Sequence, residues 1–261
     1  MTERDPPAAA SIEHADGPSP YVLLCEHASN FIPTSYGGLG LPEAELQRHI
    51  AWDVGAAALA RLLSSRLGAP LVLSGYSRLL IDCNRPLGTP TSIPERSEDT
   101  VIPGNAGLSA ADRAGRATAY FEPFRQLVSA ELDRRAALAI PTILVGVHSF
   151  TPVFQGVRRP WQAGVLYSAS TGFARALIGQ LASDPGLMVG DNQPYRIEPE
   201  YDYTVPVHGD GRGIPAALLE VRQDLLQTDL DIRGWADRIA TALSSLTGHA
   251  RAPLSDRLVG G

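Results

Sequence analysis

Seven short apolar runs, at residues 21–25, 70–74, 79–81, 142–147, 165–167, 187–189 and 217–221, constrain this chain most, because few of them alternate with polar residues. A strand with one wet face alternates apolar and polar positions; a run that is apolar throughout is covered on both sides. Helical patterns lie between the runs. Residues 41–67 carry Leu46, Ile50, Val54, Leu59, Leu62, Leu63 and Leu67. Residues 109–137 open with Ser109 as an N-cap and Asp112 three places on, and Pro123 is expected to kink or divide that helix. Residues 171–181 and 231–246 complete the set. This alternation predicts an α/β fold, a three-layer α/β/α sandwich around a mostly parallel, mixed sheet.

Residues 20–249 read as a single domain, with residues 1–19 as a flexible N-terminal arm and 250–261 as a C-terminal tail. Two long irregular stretches, 88–108 and 191–215, are rich in Pro, Gly and Asn, and they are expected to frame a pocket. The formal charge of -6 comes without any basic run, which argues against nucleic acid and anionic membranes as partners. No apolar stretch reaches the roughly 18 residues of a membrane helix. The first residues lack a basic region followed by an apolar one, so no secretory signal is expected. Two cysteines fit a reducing compartment, and Cys25 and Cys83 are expected as buried thiols. The expected location is the cytoplasm.

Chemistry gathers where the apolar runs stop. The clusters are Cys25-Glu26-His27-Ala28-Ser29-Asn30, Ile81-Asp82-Cys83-Asn84-Arg85-Pro86, Val147-His148-Ser149-Phe150-Thr151 and Leu219-Glu220-Val221-Arg222-Gln223-Asp224. In open α/β sheets, ligands bind beyond the carboxyl ends of the strands, so these clusters are expected to meet in one site. A catalytic zinc site needs three protein ligands, and His27 and His148 provide two. A Glu three residues after His27 would be the close-spaced partner, but Asn30 stands there. Glu26, His49 and Asp53 are the candidates for the third ligand. His49 and Asp53 would share one face of the predicted helix, whereas Glu26 would point away from His27 if the strand continued. Asp53 is preferred. Asp82 is expected to orient a neighbour. Arg78 and Arg222 are candidate substrate-binding cations, Arg222 alternatively pairing with Asp224. His208 reads as an exposed loop residue, and Arg158-Arg159-Pro160-Trp161 as either a cover over an anionic substrate or a surface turn. No G-x-S-x-G occurs, which argues against a serine hydrolase.

The same residues carry a family resemblance. His27-Ala-Ser-Asn with Ile32-Pro33, Trp52-Asp53, Tyr76-Ser77-Arg78, Ile81 to Pro86, Pro103-Gly104-Asn105, His148-Ser-Phe-Thr-Pro152 and Glu220-Val-Arg-Gln-Asp224 resemble the N-formylglutamate amidohydrolase family, in its bacterial branch of predicted deformylases. The resemblance covers roughly residues 21–246. It implies a fold similar to the zinc carboxypeptidases, succinylglutamate desuccinylase and aspartoacylase, one divalent zinc ion per chain, and hydrolysis of N-formylglutamate to formate and glutamate. It also implies roles: His148 as the last zinc ligand, Asn84 and Arg85 as the clamp on the substrate carboxylate, Glu220 as general base. Relatives have a zinc-binding Glu where this chain has Asn30. The expected partner is a small carboxylate-bearing amide. A deacylase or peptidase for another such amide, and a metal-free ligand-binding homologue, are the alternatives. The chemistry is coherent with the resemblance, since a bound divalent ion lowers the pKa of water from ~15.7 to ~7, and a planar guanidinium matches a carboxylate bidentately.

Overall fold

The computed structural model describes residues 5–251. Seven strands form the central sheet: β1 (Ala10–Glu13), β2 (Tyr21–Cys25), β3 (Leu71–Ser74), β4 (Ile143–Phe150), β5 (Ala163–Leu166), β6 (Val189–Asp191) and β7 (Ala216–Arg222). Their spatial order is β1-β3-β2-β4-β7-β5-β6. The centre, β3-β2-β4-β7, is parallel, while β1 on β3 and β5 on β7 run antiparallel. The mixed α/β sandwich expected from the sequence is therefore the observed fold.

Its two cores explain the unalternating runs. On one face Tyr21, Leu23, Cys25, Val145, Val147, Leu219 and Val221 pack beneath helices α1 (Ala56–Leu67), α4 (Thr171–Leu181) and α5 (Asp229–Ser244). On the other, Val22, Leu24, Leu144 and Leu218 meet Phe124, Val128 and Leu132 of helix α3 (Glu122–Ala137). Helix α2 (Ala110–Arg116) runs into α3 through a wide turn at Ala117–Phe121, so the expected division falls just ahead of Pro123. There the missing proline N–H costs nothing, because first-turn donors have no intrahelical partner. Ser109 and Asp112 form the reciprocal cap that starts α2.

Three expectations are corrected. The arm carries β1, whose residues pair with β3 and close that edge of the sheet; residues 1–4 and 252–261, the ends of the expected arm and tail, lie outside the described residues. The apolar run 79–81 is a set of turns rather than a strand. Its carbonyls are bonded by buried side chains, Leu79 by Asn105 Nδ2 at 2.8 Å and Leu80 by Arg116 Nη1 at 3.0 Å, which replace a strand ladder. The pattern over 41–67 is interrupted as well. After one turn at Glu43–Leu46 the chain proceeds through turns, and helix begins only after Gly55. Gly55 adopts φ +81°, and a Cβ there would lie 2.6 Å from Leu226 Cβ, so only glycine fits.

Candidate active site

Strand register assembles the site. Glu220 on β7 pairs with His148 on the parallel neighbour β4, so both side chains leave the same face. Leu24 of β2 pairs with Gly146; continuing that register two residues brings Glu26 to the other flank of His148. Gly146 and these three polar residues extend the second core face past the end of its apolar residues. His27 follows at the end of β2, and the turns before α1 deliver Asp53, whose amide donates to the His27 carbonyl at 3.0 Å. Each of His27, Asp53, His148, Glu26, Asp82 and Glu220 is at most 6% exposed.

The imidazoles of His27 and His148 sit edge to face with centroids 5.0 Å apart. Both turn Nδ1 toward one oxygen, Asp53 Oδ2, at 3.3 Å and 2.8 Å. Both hold Nε2 against another carboxylate. His27 Nε2 lies 2.8 Å from Asp82 Oδ1, and His148 Nε2 lies 3.1 Å from Glu26 Oε2, off the hydrogen-bond direction. Arg78 bridges the acidic groups, donating to Asp82 Oδ2 at 2.8 Å and to Asp53 Oδ1 at 3.4 Å. Thr204 Oγ1 donates to the second Glu26 oxygen. One ligand atom each from His27, Asp53 and His148 lies within 4.8 Å of the others, a buried group that could hold a metal ion.

Burial opposes charge on every member, and the partners reverse it for all but one. Burial acts most strongly on Asp53, yet the two imidazoles bring its pKa far below the carboxylate range. Asp82 is likewise lowered against burial by His27 and Arg78, and Glu26 by His148. Burial and Arg78 disfavour protonated His27, but Asp82 and Asp53 raise its pKa; Glu26 and Asp53 raise that of His148 well above the usual imidazole value. Glu220 is the exception. Burial dominates there, its pKa is pushed up to about 7, and Oε2 has no hydrogen-bond partner among the described residues.

The group opens into a cavity of about 580 Å³ lined by residues of both long irregular stretches, 91–98 and 195–202. Asn84 and Arg85 line it. Asn84 Oδ1 accepts the Thr204 amide at 2.9 Å, and Arg85 Nη1 donates to Asp202 Oδ1 and to the Tyr201 carbonyl. Asn84 Nδ2 and the other Arg85 N–H groups have no protein acceptor among the described residues. Arg78 lines the cavity but is occupied by the two aspartates.

Other expectations fall elsewhere. Arg222 does not line the cavity: although strand alternation gives it the face of Glu220, it is held at the end of β7 by Asp224 at 2.7 Å and by the carbonyls of Arg159 and Trp161 in the 159–161 loop. His49 pairs with Glu98 at the cavity rim, since no helix joins it to Asp53. Asn30 donates to the Leu46 carbonyl, away from the imidazoles. His208 is buried rather than exposed, has no partner for either ring nitrogen among the described residues, and burial lowers its pKa to about 4. Cys25 and Cys83 are buried thiols with raised pKa values. Sequence reasoning set Glu26 aside because alternation turns it from His27; the same alternation, counted against β4, would have aimed it at His148.

The sequence matches the N-formylglutamate amidohydrolase family over residues 19–227. A gene product of Agrobacterium tumefaciens of known structure is 38% identical, with TM-score 0.87, covering 94% of this chain and 95% of that one. An N-formylglutamate amidohydrolase from Ralstonia eutropha JMP134 is 14% identical with TM-score 0.68, covering 93% and 98%, a likeness of fold. No curated protein matches the sequence. No helix among the described residues is long and apolar enough to cross a membrane.

Proposed function

Because this chain belongs to the N-formylglutamate amidohydrolase family, and so is a hydrolase acting on carbon–nitrogen bonds, we propose that it is a zinc-dependent enzyme cleaving the amide of a small N-acyl amino acid, nominally N-formylglutamate to formate and glutamate. The observation that carries this reading is the convergence of His27 Nδ1, His148 Nδ1 and Asp53 Oδ2 beside the unpartnered oxygen of Glu220.

The donor set fits the ion. Two imidazoles and a carboxylate are a catalytic zinc set that leaves a position open. Each imidazole has its remote nitrogen against a carboxylate, Asp82 or Glu26, the outer arrangement that fixes ring orientation and raises ligand basicity. When bound, the ion supplies Lewis acidity to the reacting water and the acyl oxygen.

The chain's own residues do the rest. Glu220 takes a proton from the attacking water at Oε2 and hands it to the leaving nitrogen, and a pKa of about 7 suits both transfers near neutral pH. Such a positioned base contributes about 10²–10⁴ in rate. Asn84 Nδ2 and the free N–H groups of Arg85 receive the substrate carboxylate and so set the amide against Glu220. Arg78 helps His27 keep Asp82 ionised and pairs with Asp53. Arg222 has no part in this reading.

Elemental analysis with a panel of N-acyl amino acids tests it. One zinc per chain, and formate released from N-formylglutamate until the metal is chelated, are the expected results. Stoichiometric absence of metal with retained affinity for acyl amino acids would make the chain a binder instead. The cavity lies within the range of pockets for drug-sized ligands, so longer acyl groups belong in the panel.

A further inference from the structure

Arg159 is only 8% exposed, yet among the described residues no carboxylate lies within salt-bridge reach of its guanidinium. Its surroundings are aromatic. The guanidinium carbon stands 4.6 Å from the ring centres of Phe154 and Tyr195 and 5.8 Å from that of Phe150. A buried cation without a counterion is costly, and the ring faces offset part of that cost. Nη1 donates to the Tyr195 hydroxyl oxygen at 2.8 Å and to the Thr151 carbonyl at 3.4 Å. The backbone is fixed too. The Arg159 amide donates to the Pro152 carbonyl at 2.9 Å, and Arg222, braced by Asp224, donates to the Arg159 carbonyl.

The consequence concerns a proton. Arginine has five N–H donors and no acceptor, so the Tyr195 oxygen is the receiving partner in that bond. The phenol's own hydrogen must point elsewhere, and it has no acceptor among the described residues. Tyr195 and Phe154 line the cavity together with Glu220 and Arg78. The phenol stays protonated: burial of its hydroxyl end, then the charge of Glu220, raises its pKa, and Arg159 only partly counteracts them.

We propose that Tyr195 touches the substrate, its O–H donating to the amide carbonyl oxygen as that oxygen gains charge, and that Arg159 is the positioning residue fixing the direction of the hydroxyl. This inference rests on the amidohydrolase reading above. It also gives Arg222 a place two contacts behind the chemistry, holding the loop that holds Tyr195. Only a hydrogen bond is made; the phenol proton stays on oxygen.

Steady-state kinetics on Tyr195→Phe, Arg159→Met and the double variant test it, with Glu220→Gln and zinc content measured alongside. Losing one donor to a developing oxyanion costs roughly 100–1000-fold in kcat when the donor is fully engaged. Tyr195→Phe should therefore lower kcat at least about tenfold, with KM within about threefold and zinc unchanged. Arg159→Met should reproduce that loss, and the double variant should be no worse than either single one, because both remove the same interaction. A merely structural arginine would instead give additive losses. Wild-type kcat in Tyr195→Phe, an effect on KM alone, or additive losses overturn the assignment. If Glu220→Gln is inactive while Tyr195→Phe is not, only Tyr195 is misassigned; if the wild-type protein hydrolyses no amide, both readings fall.

Discussion

Glu220→Gln separates catalysis from stability in a way that can be worked out beforehand. The Glu220 carboxyl is 94% hidden, with a pKa near 7 in the folded chain against an ordinary 4.5. The folded state thus holds this proton more tightly than the unfolded state does. Stability is complete below pH ~4.5, falls as pH rises from there to ~7, and levels off above. At about 1.4 kcal/mol per pH unit the loss comes to about 3 kcal/mol. Glutamine cannot ionise, so the variant escapes it. Thermal melts of the metal-free proteins should coincide near pH 4.5 and diverge as pH rises, the variant melting higher by about 6–12 °C at pH 8, since each kcal/mol is worth about 2–4 °C in a chain of this size. In the zinc-loaded proteins the variant should keep its metal and lose about 10²–10⁴ in turnover. A stability difference independent of pH, or a variant less stable at pH 8, would refute the claim that burial leaves this carboxylate costly to ionise.

Four further outcomes follow from the same geometry. His148→Ala removes a ligand from the metal-holding group, and inductively coupled plasma analysis should find it without zinc; full occupancy would remove His148 from the set. Glu26→Gln takes away the carboxylate behind His148 Nε2, and zinc affinity by competition with a chelator should fall about 10–100-fold. Zinc takes neutral imidazole, whereas carboxylates raise the pKa of both histidines in the metal-free chain, so binding near neutral pH should release protons and tighten as pH rises. Calorimetry in buffers of different ionisation enthalpy reads that release directly, and its absence would contradict the raised values. Gly146→Ala would drive a Cβ into Leu218 Cδ2 and to 3.4 Å from His148 Nε2. Overpacking of this kind costs about 1–3 kcal/mol, visible as a lower melting temperature.

Six of the seven apolar runs fall on strands, that at 187–189 by Val189 alone, and the seventh shows where sequence falls short. Residues 79–81 are as apolar as their counterparts, but Asn105 and Arg116, distant in sequence, take their carbonyls. The helix periodicity across 41–67 was legible; the break at Gly55 was not, because the need for glycine comes from Leu226 across the fold. Among site residues, His27, His148, Glu220, Asn84 and Arg85 reach one cavity because each sits at or near the carboxyl end of an apolar run. Asp53 arrives by turns, not by the helix face expected of it.

Composition, apolar patterning and the position of polar residues after each run determined the layer architecture and which side chains are available to a site, since those depend on local periodicity and on burial of both sheet faces. Register decided the rest. Pairing Glu220 with His148, and extending β2 so that Glu26 reaches the far nitrogen of His148, are contacts between segments 72 and 122 residues apart in the chain. So is the hold of Arg159 on Tyr195 a matter of two loops meeting. Contacts of that range, and the burial that shifts the Glu220 pKa, exist only when the chain has closed on itself.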